Sequence, residues 1–296
     1  MTFDQQLEKI QKENGFIAAL DQSGGSTPKA LHLYGIGTSD YSDDEEMFDR
    51  IHEMRTRIIT SPSFGGDRIL GTILFENTMN RTISGMGSAN YLWQKKRVVP
   101  FLKVDRGLEE EKDGVQMMKP MPGLEELLRQ AGSNEVFGTK MRSVIKVANG
   151  PGVTAIVDQQ FKIGKQIISA GLVPILEPEV DIHSETKSAA EEMLLKRLME
   201  RIRGLSSGQK VMLKLSLPNR DNLYAPCIEH PNVLKVVALS GGHSREDANA
   251  LLARNNGMTA SFSRALTEGL TAQQSDEKFN AILDSTIESI FQASKT

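Results

Sequence analysis

An α/β chain that closes into a (β/α)8 barrel as a single domain is the fold this sequence predicts. Three observations carry it. Eight short apolar runs of strand composition are spread along the 296 residues. Longer stretches with helical period stand between them. The glycine fingerprint of an open, doubly wound sheet does not follow the first run, because "DQSGGS" does not match GxGxxG. Alternating strands and helices argue for a parallel sheet, and eight alternations argue for its closure. Chains of this length often form one such barrel. The domain is expected over 1–296, with flanking helices at both ends.

The elements follow in order. The polar N-terminal stretch "MTFDQQLEKIQKENG" has a helical pattern and does not resemble a signal peptide. The first strand, "FIAAL" (16–20), leads to Asp21 and a segment rich in Gly, Ser and Asp (21–45). The helix "EEMFDRIHEMRTRII" comes next, with Met47, Ile51, Met54 and Ile58 on one face. "ILGTILF" (69–75) and "VVPFLKV" (98–104) are the second and third strands. The third ends at Lys103 and Asp105 and opens a second irregular connection, 105–121. "VFGTKMR" (136–142) brings Lys140 and Arg142, and "LVPILE" (172–177) leads to Glu177 and Glu179. Pro178 lacks an N–H, which fits the end of a strand. "KVMLKLS" (210–216) carries Lys214 and Ser216, and "VLKVVAL" (233–239) leads into "SGGHS". "MTASFS" (258–263) closes at Ser261, Ser263 and Arg264. "VDQQFKIGKQIISAG", "SAAEEMLLKRLMERIRGL", "REDANALLARN" and the final "DEKFNAILDSTIESIFQAS" are amphipathic helices. Both irregular connections follow strands, so both belong at the face where barrels keep their chemistry.

Composition narrows the function classes. A net charge of −3, with 35 basic and 38 acidic residues intermixed, shows no signature of nucleic-acid binding. No apolar run reaches the length of a membrane span. The single Cys227 leaves no internal disulfide framework and no common cysteine-based zinc site. A cytoplasmic protein is expected. Its oligomeric state is left open, a homo-oligomer included.

Barrel enzymes place catalytic groups at the C-terminal ends of strands, and the residues there are unusually charged. Any one of them could be polar merely for lying near solvent; the set is harder to dismiss. Strand side chains alternate between faces. Val211, Leu213, Leu215 and Leu217 should pack on the outer helices, so Met212, Lys214 and Ser216 point inside. A lysine held there is placed where ammonium groups are expensive. Burial lowers a lysine's pKa, as do neighbouring cations such as Lys103, Lys140, Arg142 and Arg264. A neutral amine attacks carbonyls and forms a Schiff base, and a carboxylate such as Glu177 would move the protons. The alternative for Lys214 is a structural ion pair with Glu177 or Asp21.

Two loops suggest anion sites. "LSGGHS" follows strand seven and "SFSRAL" follows strand eight, where barrels frequently bind phosphate. Gly241 and Gly242 let backbone N–H groups approach an anion, Ser240 adds a hydroxyl, and Arg264 offers a planar fork. "DQSGGSTPK" offers a second nest with Ser23, Ser26 and Lys29. Metal is not expected and no cofactor is implied. The five histidines (His32, His52, His183, His230 and His243) are scattered without HxxxH or HxH spacing.

Taken together, "AALDQSGGSTPKAL", "FLKVDRG", "GTKMRS", "VPILEPEV", "LKLSLP", "LSGGHSREDA" and "ASFSRAL" make the chain resemble class I fructose-bisphosphate aldolase in its shorter bacterial form. The resemblance runs over nearly the whole sequence. It implies a metal-independent TIM-barrel enzyme, an aldehyde-lyase that reversibly cleaves fructose 1,6-bisphosphate in glycolysis and gluconeogenesis. By the same resemblance Lys214 is the Schiff-base lysine and Glu177 the acid/base residue. Asp21 and Lys140 are charged partners around the reacting carbons. Ser240, Gly241, Ser261 and Arg264 match the site of the ketose 1-phosphate. Arg142 matches a position near the second phosphate, with Lys103, Ser23 and Ser26. The longer animal-type enzymes carry a C-terminal tyrosine implicated in proton exchange. This sequence has none after Tyr224, so another group is expected to move that proton, or the step is slow. The rival readings are another Schiff-base sugar-phosphate aldolase or transaldolase, and a non-catalytic sugar-phosphate-binding barrel.

Overall fold

A computed structural model describes residues 2–296. Eight parallel strands run in chain order around one sheet. They are β1 (Phe16–Leu20), β2 (Ile69–Leu74), β3 (Val99–Lys103), β4 (Gly138–Ile145), β5 (Val173–Val180), β6 (Val211–Ser216), β7 (Val233–Leu239) and β8 (Met258–Ala260). The eighth returns to the first, where the Ala19 N–H donates to the Phe262 carbonyl at 3.0 Å. The eight expected runs are the eight barrel strands. Helices on the outside connect them, and Ser88–Lys96 and Leu124–Ser133 join the helices expected from the sequence.

Two strands outrun their apolar segments. β4 continues to Ile145 and β5 to Val180, paired in register through Arg142↔Glu177, Ser143↔Pro178 and Val144↔Glu179. Pro178 therefore lies inside β5 and does not mark its end. β5 pairs with β6 only through Ile175↔Met212 and Leu176↔Leu213. Beyond Leu176 its β6 side carries no ladder, which leaves room for a residue without an N–H.

Two layers of apolar side chains follow from strand alternation. Val211, Leu213, Leu215 and Leu217 join the large outer cluster under the helices, as expected. Met212, Ile175, Phe101, Ala19 and Val237 fill the barrel interior. Phe101 is accommodated because its neighbouring strands carry glycine. A Cβ on Gly71 would stand 2.7 Å from its ring, and one on Gly138 3.0 Å. At the N-terminal mouth the helix Thr2–Lys12 covers the opening, with Ile10 joining the interior cluster and Leu7 packed on it. Lys9 Nζ fastens this helix by donating to the Gly66 carbonyl at 2.7 Å. The helix Asp276–Ala293 buries Phe279, Leu283, Ile287 and Ile290. Arg68 ties it to the barrel through Asp284 at 2.7 Å.

The interior is thus apolar from its floor to about its middle. Continuing the inward face of each strand by two residues gives the next layer. Ala19 leads to Asp21, Phe101 to Lys103, Ile175 to Glu177 and Met212 to Lys214. The apolar plug supports a layer of charge at the C-terminal mouth. No helix among the described residues is long and apolar enough to cross a membrane.

Candidate active site

The charged layer forms the floor of a cleft of about 560 Å³. Asp21, Lys140, Glu177 and Lys214 are all buried there. Glu177 lies between two lysines: its Oε1 is 3.1 Å from Lys214 Nζ, and its Oε2 is 3.0 Å from Lys140 Nζ. Lys140 Nζ also reaches Asp21 Oδ2 at 2.6 Å. Oε2 of Glu177 has Lys140 within ion-pair distance but no well-aligned donor. The sequence left Lys214 two ion-pair partners, Glu177 and Asp21. The first is present, and the second carboxylate is taken by Lys140 from across the barrel.

The two lysines differ in the number of their carboxylate partners. Burial alone would lower the Lys140 pKa, but Asp21 and Glu177 raise it well above the ordinary lysine range, so it stays an ammonium. Burial would raise the Asp21 pKa, yet Lys140 and Lys214 hold it far below the usual carboxylate range. Glu177 is likewise lowered, by Lys140 and Lys214 acting against burial. Lys140 has two carboxylates within ion-pair distance and Lys214 has one.

Around this centre, Asp105 organises the wall formed by β3 and β4. Its Oδ1 accepts from Lys103 Nζ at 2.7 Å, and its Oδ2 from the Arg142 N–H at 3.1 Å. Arg142 itself pairs through Nε with Glu179 at 2.5 Å. Burial would lower the Arg142 pKa, but Glu179 raises it, so its charge is permanent. Both cations expected near the second phosphate are therefore engaged by carboxylates.

The opposite wall is different in charge. Gly241 and Gly242 take φ of +61° and +122°, which favours glycine, and the His243 N–H closes the turn onto the Ser240 carbonyl at 2.9 Å. A Cβ at Gly242 would stand 3.4 Å from Arg264 Nη2, so the guanidinium lies against this turn. No carboxylate among the described residues pairs with Arg264. Ser240 and Ser261 are buried and line the same cleft as Arg264, and Ser261 Oγ has no hydrogen-bond partner. An unsatisfied buried hydroxyl sharing a cleft with an unpaired arginine suits an anion.

Of the residues expected at the site, all but Gly242 line the cleft, and Gly242 adjoins it through Arg264. Ser23 and Ser26 lie on its rim. The Ser23 N–H that a nest would offer donates instead to Ser26 Oγ at 2.9 Å. The lining carries six cations and four carboxylates. This local surplus of two positive charges, in a chain of net charge −3, attracts anions. Sequence reasoning missed Gln22, whose Nε2 donates to Ser263 Oγ at 2.6 Å and so links the loops after β1 and β8. It also passed over Arg55, which lies behind Gln22. Among the described residues no cluster of His, Cys, Asp or Glu is placed to hold a metal ion.

Comparison with known proteins agrees with this geometry. A model of the glycolytic class-I fructose-bisphosphate aldolase family matches residues 4–219, which include Asp21, Lys140, Glu177 and Lys214. A curated fructose-bisphosphate aldolase class 1 from Synechocystis sp. is 62% identical over 292 residues, covering 99% of this chain and 97% of that protein. One from Porphyromonas gingivalis is 57% identical over 290 residues, covering 98% of each. A solved structure of fructose-bisphosphate aldolase from Plasmodium falciparum shares the fold, with a TM-score of 0.79 at 20% identity, covering 99% of this chain and 94% of that one. With the family model over residues 4–219 and curated relatives 57–62% identical over nearly its whole length, a chain whose barrel sets Glu177 between two buried lysines belongs to the class I fructose-bisphosphate aldolase family.

Proposed function

We propose that this chain cleaves fructose 1,6-bisphosphate to dihydroxyacetone phosphate and glyceraldehyde 3-phosphate, and condenses them in reverse, through a Schiff base on Lys214. The observation that supports the reading best is the unequal number of carboxylates around the two lysines, two at Lys140 and one at Lys214. Lys140 is held an ammonium by two carboxylates, so the proton that must leave before an amine can attack is that of Lys214. It can pass to Glu177 Oε1 over 3.1 Å. The freed amine adds to the C2 carbonyl of the open-chain ketose and forms a carbinolamine. Glu177 returns a proton to the departing hydroxyl, water leaves, and an iminium remains. A base then removes the C4 hydroxyl proton, and the C3–C4 bond breaks. The bonding pair moves into C2–C3 and neutralises the iminium as an enamine. Glu177 is the first choice of base and Asp21 the second. Glyceraldehyde 3-phosphate leaves, C3 is protonated, and water releases dihydroxyacetone phosphate. Lys140, permanently charged, stabilises negative charge developing near Asp21 and Glu177.

The phosphates supply remote binding energy that orients the reacting carbons. Ser240, Gly241, Gly242, Ser261 and Arg264 take the 1-phosphate. Lys103, Arg142, Ser23 and Ser26 face the other end. The same reading treats 1–296 as one catalytic domain, working in the cytoplasm on small sugar phosphates without nucleic acid, membrane or cofactor. A homo-oligomer is compatible with it.

Trapping tests the reading. Borohydride with dihydroxyacetone phosphate is expected to add one reduced adduct to the wild-type protein, on the peptide containing "VMLKLSLP". The yield is expected to be the same in EDTA. Absence of both adduct and cleavage would turn the reading to a non-catalytic sugar-phosphate-binding barrel.

Arg264→Ala tests the phosphate end. Charge-assisted hydrogen bonds contribute about 1.5–3 kcal/mol each, so KM for fructose 1,6-bisphosphate is expected to rise by about tenfold or more. The circular dichroism spectrum should not change, because Arg264 is exposed at the rim. Unchanged kcat and KM together would remove Arg264 from the site.

A further inference from the structure

Arg55 is the largest fully buried side chain in the protein. It sits on the helix Asp44–Thr60, on the buried face it shares with Ile51, Met54, Ile58 and Ile59. No carboxylate among the described residues is within ion-pair distance of it. Its fork is nonetheless directed. Nη1 donates to Thr78 Oγ1 at 2.6 Å, on the short helix after β2. Nη2 donates to the Gln22 carbonyl at 2.6 Å and to Gln22 Oε1 at 3.3 Å. Gln22 passes the connection on to Ser263 at 2.6 Å, beside Arg264. The residue before Gln22 is Asp21, whose carboxylate must reach Lys140 across the barrel at 2.6 Å.

We infer that Arg55 is a positioning residue for carbon–carbon bond cleavage: it clamps the Gln22 main chain against the Thr78 segment and so sets the reach of the Asp21 carboxylate into the cleft. A desolvated guanidinium without an ion pair is costly to keep. Burial pulls its pKa down to about 10, and the carboxylate that offsets this is that of Asp21. A fork can hold a backbone carbonyl and a hydroxyl on two different elements at once, which a lysine, with one nitrogen, does less rigidly. Misplacement of a reacting group by about 1 Å can cost about 100-fold in rate. The inference rests on the aldolase reading, and its experiment keeps the two apart.

Wild type, Arg55→Lys and Thr78→Val are compared in steady-state cleavage of fructose 1,6-bisphosphate, in borohydride trapping with dihydroxyacetone phosphate, and in thermal melts. Thr78 is buried away from the cleft, so its replacement touches no substrate. Arg55→Lys is expected to lower kcat by about tenfold to 100-fold. KM should change by a smaller factor than kcat, because no residue assigned to a phosphate is replaced, and the adduct should still form on Lys214. Thr78→Val is expected to shift kcat in the same direction by a smaller factor. It decides the question alone if Arg55→Lys does not fold. A lowered melting temperature with wild-type kcat in the folded variants would make Arg55 only a structural clamp and overturn the inference. Failure of wild type itself to cleave the bisphosphate would instead overturn the aldolase reading.

Discussion

Lys214→Met folds and loses cleavage by a factor on the order of 10⁴ to 10⁶, the loss expected when a covalent nucleophile is removed. Methionine keeps the length and apolar stem of the side chain but has no nitrogen to form an imine. It sits above Met212 on the inward face of β6, between the apolar plug and the cleft. Glu177 keeps Lys140 at 3.0 Å, so the substitution leaves no orphaned carboxylate. Removing a desolvated cation can even stabilise the fold. The measurements are kcat for fructose 1,6-bisphosphate, borohydride adducts mapped by mass spectrometry, and urea unfolding. Adducts at Lys103 or Lys140 with Lys214→Met still active would leave Lys214 as an ion-pair partner of Glu177 and nothing more.

That Lys214 stands out in sequence at all follows from strand physics. Its neighbours Val211, Leu213 and Leu215 fix the outward face, so an inward lysine is forced. All eight barrel strands were legible for the same reason: a strand buried on both faces reads as an apolar run. The reading fell short where the interior stops being apolar. Residues 143–145 and 178–180 continue their strands past the expected runs, although charge stands at their start, because Arg142 and Glu179 can pair with each other at the mouth. Taking Pro178 for a strand end was part of the same error. The residue types of the site were readable, but not their partners. Lys140 pairs with Asp21 from three strands away, a relation set by barrel closure rather than by spacing. Arg55 was passed over because it lies within an apolar stripe and carries no motif. Its signal, an arginine four residues after Ile51 on the buried face, is visible only once the stripe is examined position by position.

Glu177→Gln is expected to combine a large kinetic loss with a loss of stability. As a proton carrier Glu177 should contribute a factor of about 10²–10⁴ to the rate, the usual range for general acid–base catalysis. An amide cannot take the Lys214 proton, so imine formation slows as well as cleavage. Structurally, the substitution removes the one carboxylate shared by Lys140 and Lys214. Lys140 keeps Asp21, but Lys214 is left a buried cation without an anion. Breaking a buried pair from one side costs about 3–5 kcal/mol, and denaturant unfolding at neutral pH reads it. The pH dependence has a definite sign. Burial raises the Glu177 pKa, but Lys140 and Lys214 lower it further, so its folded value lies below the ordinary one. Such a carboxylate contributes stability that is fully present above its unfolded pKa, about 4.3, and is lost as pH falls through the lower folded value. Stability of Glu177→Gln should therefore be lower than wild type at pH 7 and converge toward it in acid. Normal trapping on Lys214 with cleavage lost would restrict Glu177 to the C4 hydroxyl. A kcat within about threefold of wild type, far short of a general base's usual contribution, would move the base to Asp21.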